Sequence, residues 1–173
     1  MIYVLAYPEF DPDIFEAIEK FRSINEPERA RLVAPHITLV FALRDEKPED
    51  FADFCSRKIR SMKRFPITFD RFEILHDPVE TTHKICLVCG EGGQKIKTLH
   101  HALYEGPHRS GLRADIPFKP HMTIATNANV APLEKLDPTV IGAFPVRAEI
   151  NTINIIEVTE GRLRNVRTVS LRD

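Results

Sequence analysis

Hydrophobic positions along the chain switch between two periods, and the switches mark its elements. An apolar run over residues 1–7 reads as a strand. Asp11 then offers an N-cap, Pro12 a first helical position and Asp13 an acidic first turn. Ile14, Phe15, Ile18 and Phe21 recur at helical spacing, which predicts a helix to about Ile24. Residues 35–43 form a second strand. Pro48 opens another helix with Phe51, Phe54, Cys55, Ile59 and Met62 on one face, and residues 66–75 return to strand. The order then repeats: a strand over 83–89, a break at Gly90, Gly92 and Gly93, and a helix marked by Ile96, Leu99 and Leu103. A Gly- and base-rich loop follows over 106–115, then a strand over 118–126 and a short helix over 132–136. Three closing strands are predicted over 144–150, 152–159 and 163–171, the last two joined by a turn at Glu160-Gly161.

Strands alternate with helices early and follow one another directly late. That pattern predicts an α+β fold of two antiparallel sheets with helices on their outer faces. The whole chain, 1–173, reads as one bilobal domain. Its repeat halves run over about 1–77 and 83–173, the joint lies in 75–82, and terminal strands are free to cross between lobes.

Two segments within this repeat match: Pro35-His36-Ile37-Thr38-Leu39 and Pro120-His121-Met122-Thr123-Ile124, offset by 85 at each position. Strand alternation puts His36, Thr38, Val40 and Ala42 on one face, with Ile37, Leu39, Phe41 and Leu43 on the other. It likewise separates His121, Thr123 and Ala125 from Met122 and Ile124. Two imidazoles and two hydroxyls facing one cleft suit phosphoryl transfer without a metal. A neutral ring removes a proton, a protonated ring supplies one, and the Thr38 and Thr123 hydroxyls donate to phosphoryl oxygens. Such a pair predicts a bell-shaped rate profile near neutral pH. His108, in Pro107-His108-Arg109-Ser110, resembles the motif in letters but sits among glycines, in a loop.

Charge narrows the ligand. A net charge of −1 argues against broad duplex DNA binding, which needs a strongly basic face, but leaves room for a phosphate held by a few local cations. Candidates for those cations are Arg44, on the His36 parity, and Arg109, Arg113 and Lys119 just before the second motif. Phe118 has core parity, and His100 and His101 read as surface or boundary residues. Cys86 and Cys89 form a C-x-x-C, but residues three apart on a strand face opposite sides, so buried thiols account for them better than a metal site. No metal or cofactor is expected. The chain offers no membrane-spanning apolar stretch and no leader, which implies a cytoplasmic protein.

On its two H-x-T segments, their separation and the opening strand, the chain resembles the 2H phosphoesterase superfamily, and within it the bacterial 2′-5′ RNA ligase-like, RNA 2′,3′-cyclic phosphodiesterase group. The resemblance implies two lobes about a pseudo-twofold axis and a site formed by His36, Thr38, His121 and Thr123. It implies substrates that are RNA ends or small nucleotides bearing cyclic phosphates, acted on by a monomer. The alternatives are a 2′-5′ phosphodiesterase or ligase, and a nucleotide-binding module without turnover. The Arg-rich final strand, with Arg162, Arg164, Arg167 and Arg172, departs from the family's usual ending.

Overall fold

The structure is a computed structural model and describes residues 1–44, 46–112 and 115–173. Its elements in order are β1 (Ile2–Glu9), α1 (Pro12–Asn25), α2 (Pro27–Leu32), β2 (Ile37–Leu43), α3 (Pro48–Ile59), β3 (Phe65–Asp77), β4 (Thr82–Cys89), α4 (Gly93–Leu103), β5 (His121–Asn127), α5 (Val130–Leu133), β6 (Val146–Thr159) and β7 (Arg162–Ser170). Short 3₁₀ turns occupy Gly106–Gly111 and Pro138–Ile141. Two elements differ from the sequence pattern. Pro27 restarts a helix after the chain bends at Glu26, giving α2. Asn151, between Ile150 and Thr152, stays in extended strand, so the two strands expected there are one, β6. Glu160 and Gly161 both adopt positive φ, the geometry of a tight two-residue hairpin turn.

The strands form one antiparallel network in the order β1-β2-β5-β4-β3-β6-β7, and β1 also pairs with β6. β6 is long enough to serve two groups. Residues 146–150 pair with β3, while 149–157 pair with β1 and 152–159 with β7. The two sheets expected from sequence are therefore two wings of a single sheet, β2-β1-β6-β7 and β5-β4-β3-β6. On the side away from β6 the wings meet through one ladder pair, Ile37 opposite Met122. Helix α1 lies on β5, α4 on β2, and α3 on β6 and β7. Ile18 and Phe21 of α1, Phe51, Cys55 and Ile59 of α3, and Ile96, Leu99 and Leu103 of α4 bury their side chains against the sheet. The last-strand arginines serve this packing: Arg167 reaches Asp53 and Ser56 on α3, and Arg164 reaches Glu157 and Glu49.

Each H-x-T strand carries a β-bulge at the same place. On β2, Thr38 stands opposite Leu5 and Val40 opposite Val4, leaving Leu39 as the extra residue. On β5, Thr123 stands opposite Cys86 and Ala125 opposite Ile85, leaving Ile124 as the extra residue. A bulge reverses side-chain parity beyond it. This corrects the strict alternation: Val40 and Ala125 are buried, Phe41 is 48% exposed, and Thr126 shares the face of its partner Lys84. Both bulges therefore place two successive side chains in the core directly after the threonine. They pin the motif from below.

Gly92 enters α4 at φ 77°, where an added Cβ would lie 2.5 Å from the Pro66 carbonyl oxygen. His100 is buried, against the surface or boundary position expected. Its Nδ1 meets the Leu39 carbonyl at 2.7 Å and its ring stacks on Phe118 at 3.7 Å.

Candidate functional site

Ile37 and Met122 are fully buried and face each other across the β2–β5 seam. Their neighbours in sequence must therefore point to the opposite face of the sheet. Extending the register by one residue sets His36 across from Thr123 and Thr38 across from His121. The two histidines thus share one face of the sheet, one on each side of the seam. All four side chains are half-buried. The site lies on the local twofold itself, since Ile37 and Met122 are equivalent residues paired with each other.

The two rings are held in the same way. His36 Nδ1 lies 2.8 Å from the carbonyl of Ala34, and His121 Nδ1 lies 2.7 Å from the carbonyl of Lys119. A carbonyl only accepts, so in each ring Nδ1 carries the hydrogen and donates. In the neutral rings the free lone pair is then on Nε2. Proline follows each accepting residue (Pro35 and Pro120), and its fixed φ stiffens the two-residue loop back to the ring.

Burial, the largest influence, pushes the His36 imidazole down to about 4. The Ala34 hydrogen bond opposes this, while Arg22, Arg29 and His121 add to it. His121 is also lowered, first by burial and then by Lys84 and Lys119, against the hydrogen bond to the Lys119 carbonyl and the charge of Asp77. Without a ligand both rings are therefore neutral at pH 7, rather than one of each form. The cations that disfavour a second positive charge are also the groups that attract an anion.

These surroundings were only partly visible in sequence. Lys119 belongs to the site through its carbonyl, while its ammonium pairs with Glu73. Arg44 is exposed at the far end of β2, roughly 20–25 Å along the strand from His36. It lines a separate cavity of about 250 Å³ with Glu46, His108 and Ser110, so its expected reach to a shared phosphate is corrected. Arg109 is exposed on the Gly106–Gly111 turn, which His108 anchors by bonding Glu46 at 3.0 Å and wedging between Phe51 and Phe54. Arg113 lies outside the described residues.

The sequence reading missed Tyr7, Arg22, Arg29 and Lys84. Tyr7 extends the β1–β2 register to a position opposite His36, and its ring meets that imidazole edge-on at 6.1 Å. Lys84 is 8% exposed and pairs with Asp77 at 2.5 Å and Glu80 at 2.9 Å. Arg29 Nη2 donates to both carboxylate oxygens of the same Glu80, at 2.7 and 2.9 Å. One signal was available: Lys84 shares the strand parity of Cys86, which lies opposite Thr123. Cys86 Sγ is 3.8 Å from the Thr123 hydroxyl, and burial raises the Cys86 thiol to about 11 and that of Cys89 to about 12. Both are unreactive thiols. Among the described residues no three His, Cys, Asp or Glu side chains converge as a metal site.

A family model described as the 2′-5′ RNA ligase superfamily matches residues 10–162. No curated protein sequence matches the chain at a comparable level. Among solved structures, a Thermus thermophilus protein, TT0787, is 19% identical with a TM-score of 0.65, covering 99% of this chain and 98% of that one. LigT of E. coli complexed with ATP is 20% identical with a TM-score of 0.64, covering 99% and 97%. Usb1 of Kluyveromyces marxianus is 9% identical with a TM-score of 0.59, covering 98% and 97%. At these identities the likeness is one of fold.

Proposed function

The chain belongs to the 2′-5′ RNA ligase superfamily, and from that premise we propose that it is a metal-independent phosphodiesterase opening 2′,3′-cyclic phosphates on RNA ends or small cyclic nucleotides. The observation that carries this reading is the matched pair of imidazoles. Both stand on one sheet face, both have Nδ1 committed to a carbonyl two residues back, and among the described residues neither Nε2 has a hydrogen-bond partner. The E. coli LigT structures complexed with ATP and with 3′-AMP support a nucleotide as ligand.

The free rings are neutral, so a proton enters with the substrate. The bound phosphodiester anion stabilises one imidazolium, and the other ring stays neutral. The neutral Nε2 takes a proton from water as its oxygen bonds to phosphorus. The imidazolium Nε2–H gives its proton to the departing ribose oxygen as that P–O bond breaks. Charge growing on the nonbridging oxygens meets the hydroxyls of Thr38 and Thr123, a role supported by the sheet face they share with the two rings. The same ring opening with an RNA 5′-hydroxyl in place of water would be 2′-5′ ligation by the same groups.

The test is incubation with 2′,3′-cyclic mononucleotides and a cyclic-phosphate-ended oligonucleotide in the presence of EDTA. Turnover should persist with EDTA and fall about a hundred- to ten-thousand-fold in His36→Ala and in His121→Ala. Binding without turnover in the wild type, or activity that both variants retain, would overturn the reading.

A further inference from the structure

The weakest joint in the sheet lies under the site. His36 directly precedes β2 and His121 opens β5, yet only Ile37 and Met122 pair across their seam. Every other neighbouring pair of strands shares a longer ladder. One ladder pair leaves the seam free to slide or splay, and the spacing of the two Nε2 atoms depends on it.

A buried ion pair spans that seam. Arg22 on α1 is 1% exposed and Glu26, at the bend after α1, is 5% exposed. Arg22 Nε donates to Glu26 Oε1 at 2.6 Å, and Nη1 to Glu19 Oε1 at 2.9 Å. Nη2 donates to the Val33 carbonyl at 2.9 Å, next to Ala34, whose carbonyl holds the His36 ring. On the other side, Glu26 Oε2 accepts from the Thr126 hydroxyl at 3.2 Å, three residues beyond Thr123 on β5. Arg29 Nε stands 4.0 Å from the same oxygen. The chain of contacts runs from the loop that fixes His36, through two buried charges, to the strand that carries His121.

We infer that Arg22 and Glu26 act as a positioning strut that sets the approach of the His36 loop to the His121 strand. Stability alone does not explain the pair, because well-packed apolar residues replace buried ion pairs at little or no cost. Geometry does, since a fork-shaped guanidinium bonded on three sides fixes angles that apolar contacts leave loose. The inference rests on the reading of His36 and His121 as the reacting pair.

The test replaces both charges at once, Arg22→Met with Glu26→Leu, so that neither is left alone in the interior. The double variant should melt within about 4 °C of the wild type and lose about a hundredfold in kcat on a 2′,3′-cyclic nucleotide, with KM little changed. A second readout needs no turnover: nitrogen-detected NMR titration of the imidazoles. The charged groups facing His36 are Arg22 on α1, Arg29 on α2 and His121 on β5, with the Tyr7 phenol from β1. Loss of Arg22 should raise the His36 titration toward the ordinary histidine range and leave His121 in place. Should the double variant not fold, Thr126→Val carries the test by cutting the link to β5 alone, with a smaller loss of kcat at unchanged melting. Full kcat with an unmoved His36 titration in the double variant, or full kcat in Thr126→Val when only that variant folds, would overturn the strut. An inactive wild type would instead sink the proposed activity, and the His36 titration in Thr126→Val, which removes no charge, would still decide the strut: a shifted titration supports it and an unmoved one overturns it.

Discussion

The two rings are neutral when free, so anion binding should load a proton onto the site, and sulfate is the cleanest perturbation because it does not itself titrate near neutral pH. His36 is lowered to about 4, so at pH 6 about one ring in a hundred is protonated. One unit of negative charge placed about 4 Å from the ring is worth about 4 kcal/mol at an effective dielectric constant of 20. That raises the ring's proton affinity roughly a thousandfold, enough to protonate about nine rings in ten at the same pH. His121 faces the same anion, so the first proton is shared between the pair and the second is disfavoured. The assay is a long-range ¹H–¹⁵N titration of the histidine rings in sulfate and in chloride of equal ionic strength. Sulfate should move the titration of the pair upward by much more than chloride. Titration of His36 and His121 that is the same in both salts would refute the reasoning, because the site would then not gather an anion between its rings.

Three other outcomes are expected. Thr38→Val and Thr123→Val should each lower kcat about a hundredfold with a small change in KM, measured on a cyclic mononucleotide. A neutral His36 also links folding to pH. Its folded value lies below its unfolded one, so the stability it contributes is full above about pH 6.5 and is lost as pH falls toward about 4. Urea unfolding across that window should show a loss of up to about 3 kcal/mol from this ring, reduced in His36→Asn, whereas an identical pH dependence in that variant would contradict the lowered titration. Gly92→Ala forces a positive φ and a Cβ 2.5 Å from the Pro66 oxygen, so it should cost about 1–3 kcal/mol by the same unfolding measurement. An unchanged midpoint would contradict the tight entry into α4.

Much of this architecture was readable in the residues because the relevant signals are local. Pro12 and Pro48 mark helix starts, Ile18 and Phe21 their buried stripe, and Glu160-Gly161 the final turn. The 85-residue offset of the H-x-T segments placed four side chains in equivalent positions, and the β2–β5 pairing brings equivalent residues face to face. What escaped is non-local. A bulge is a property of two strands, so nothing in Thr38-Leu39-Val40 alone says that Leu39 lacks a partner and that Phe41 turns outward. Arg22 and Glu26, four residues apart at the end of α1, carry no sign of burial in sequence. Only the packing of α1 against β5, with the return of Val33, buries them. Arg44 failed for another reason: parity on a strand says nothing about the distance travelled along it.

The central claim is that both imidazoles address one phosphorus-sized anion through Nε2. A crystal structure with sulfate or a nucleoside monophosphate soaked into the protein tests it most directly. The account expects a single anion with oxygens about 3 Å from the Nε2 atoms of both His36 and His121 and within reach of the Thr38 and Thr123 hydroxyls. An anion held by one ring alone, or seated by the Arg44 cavity while the histidines bind nothing, would contradict it.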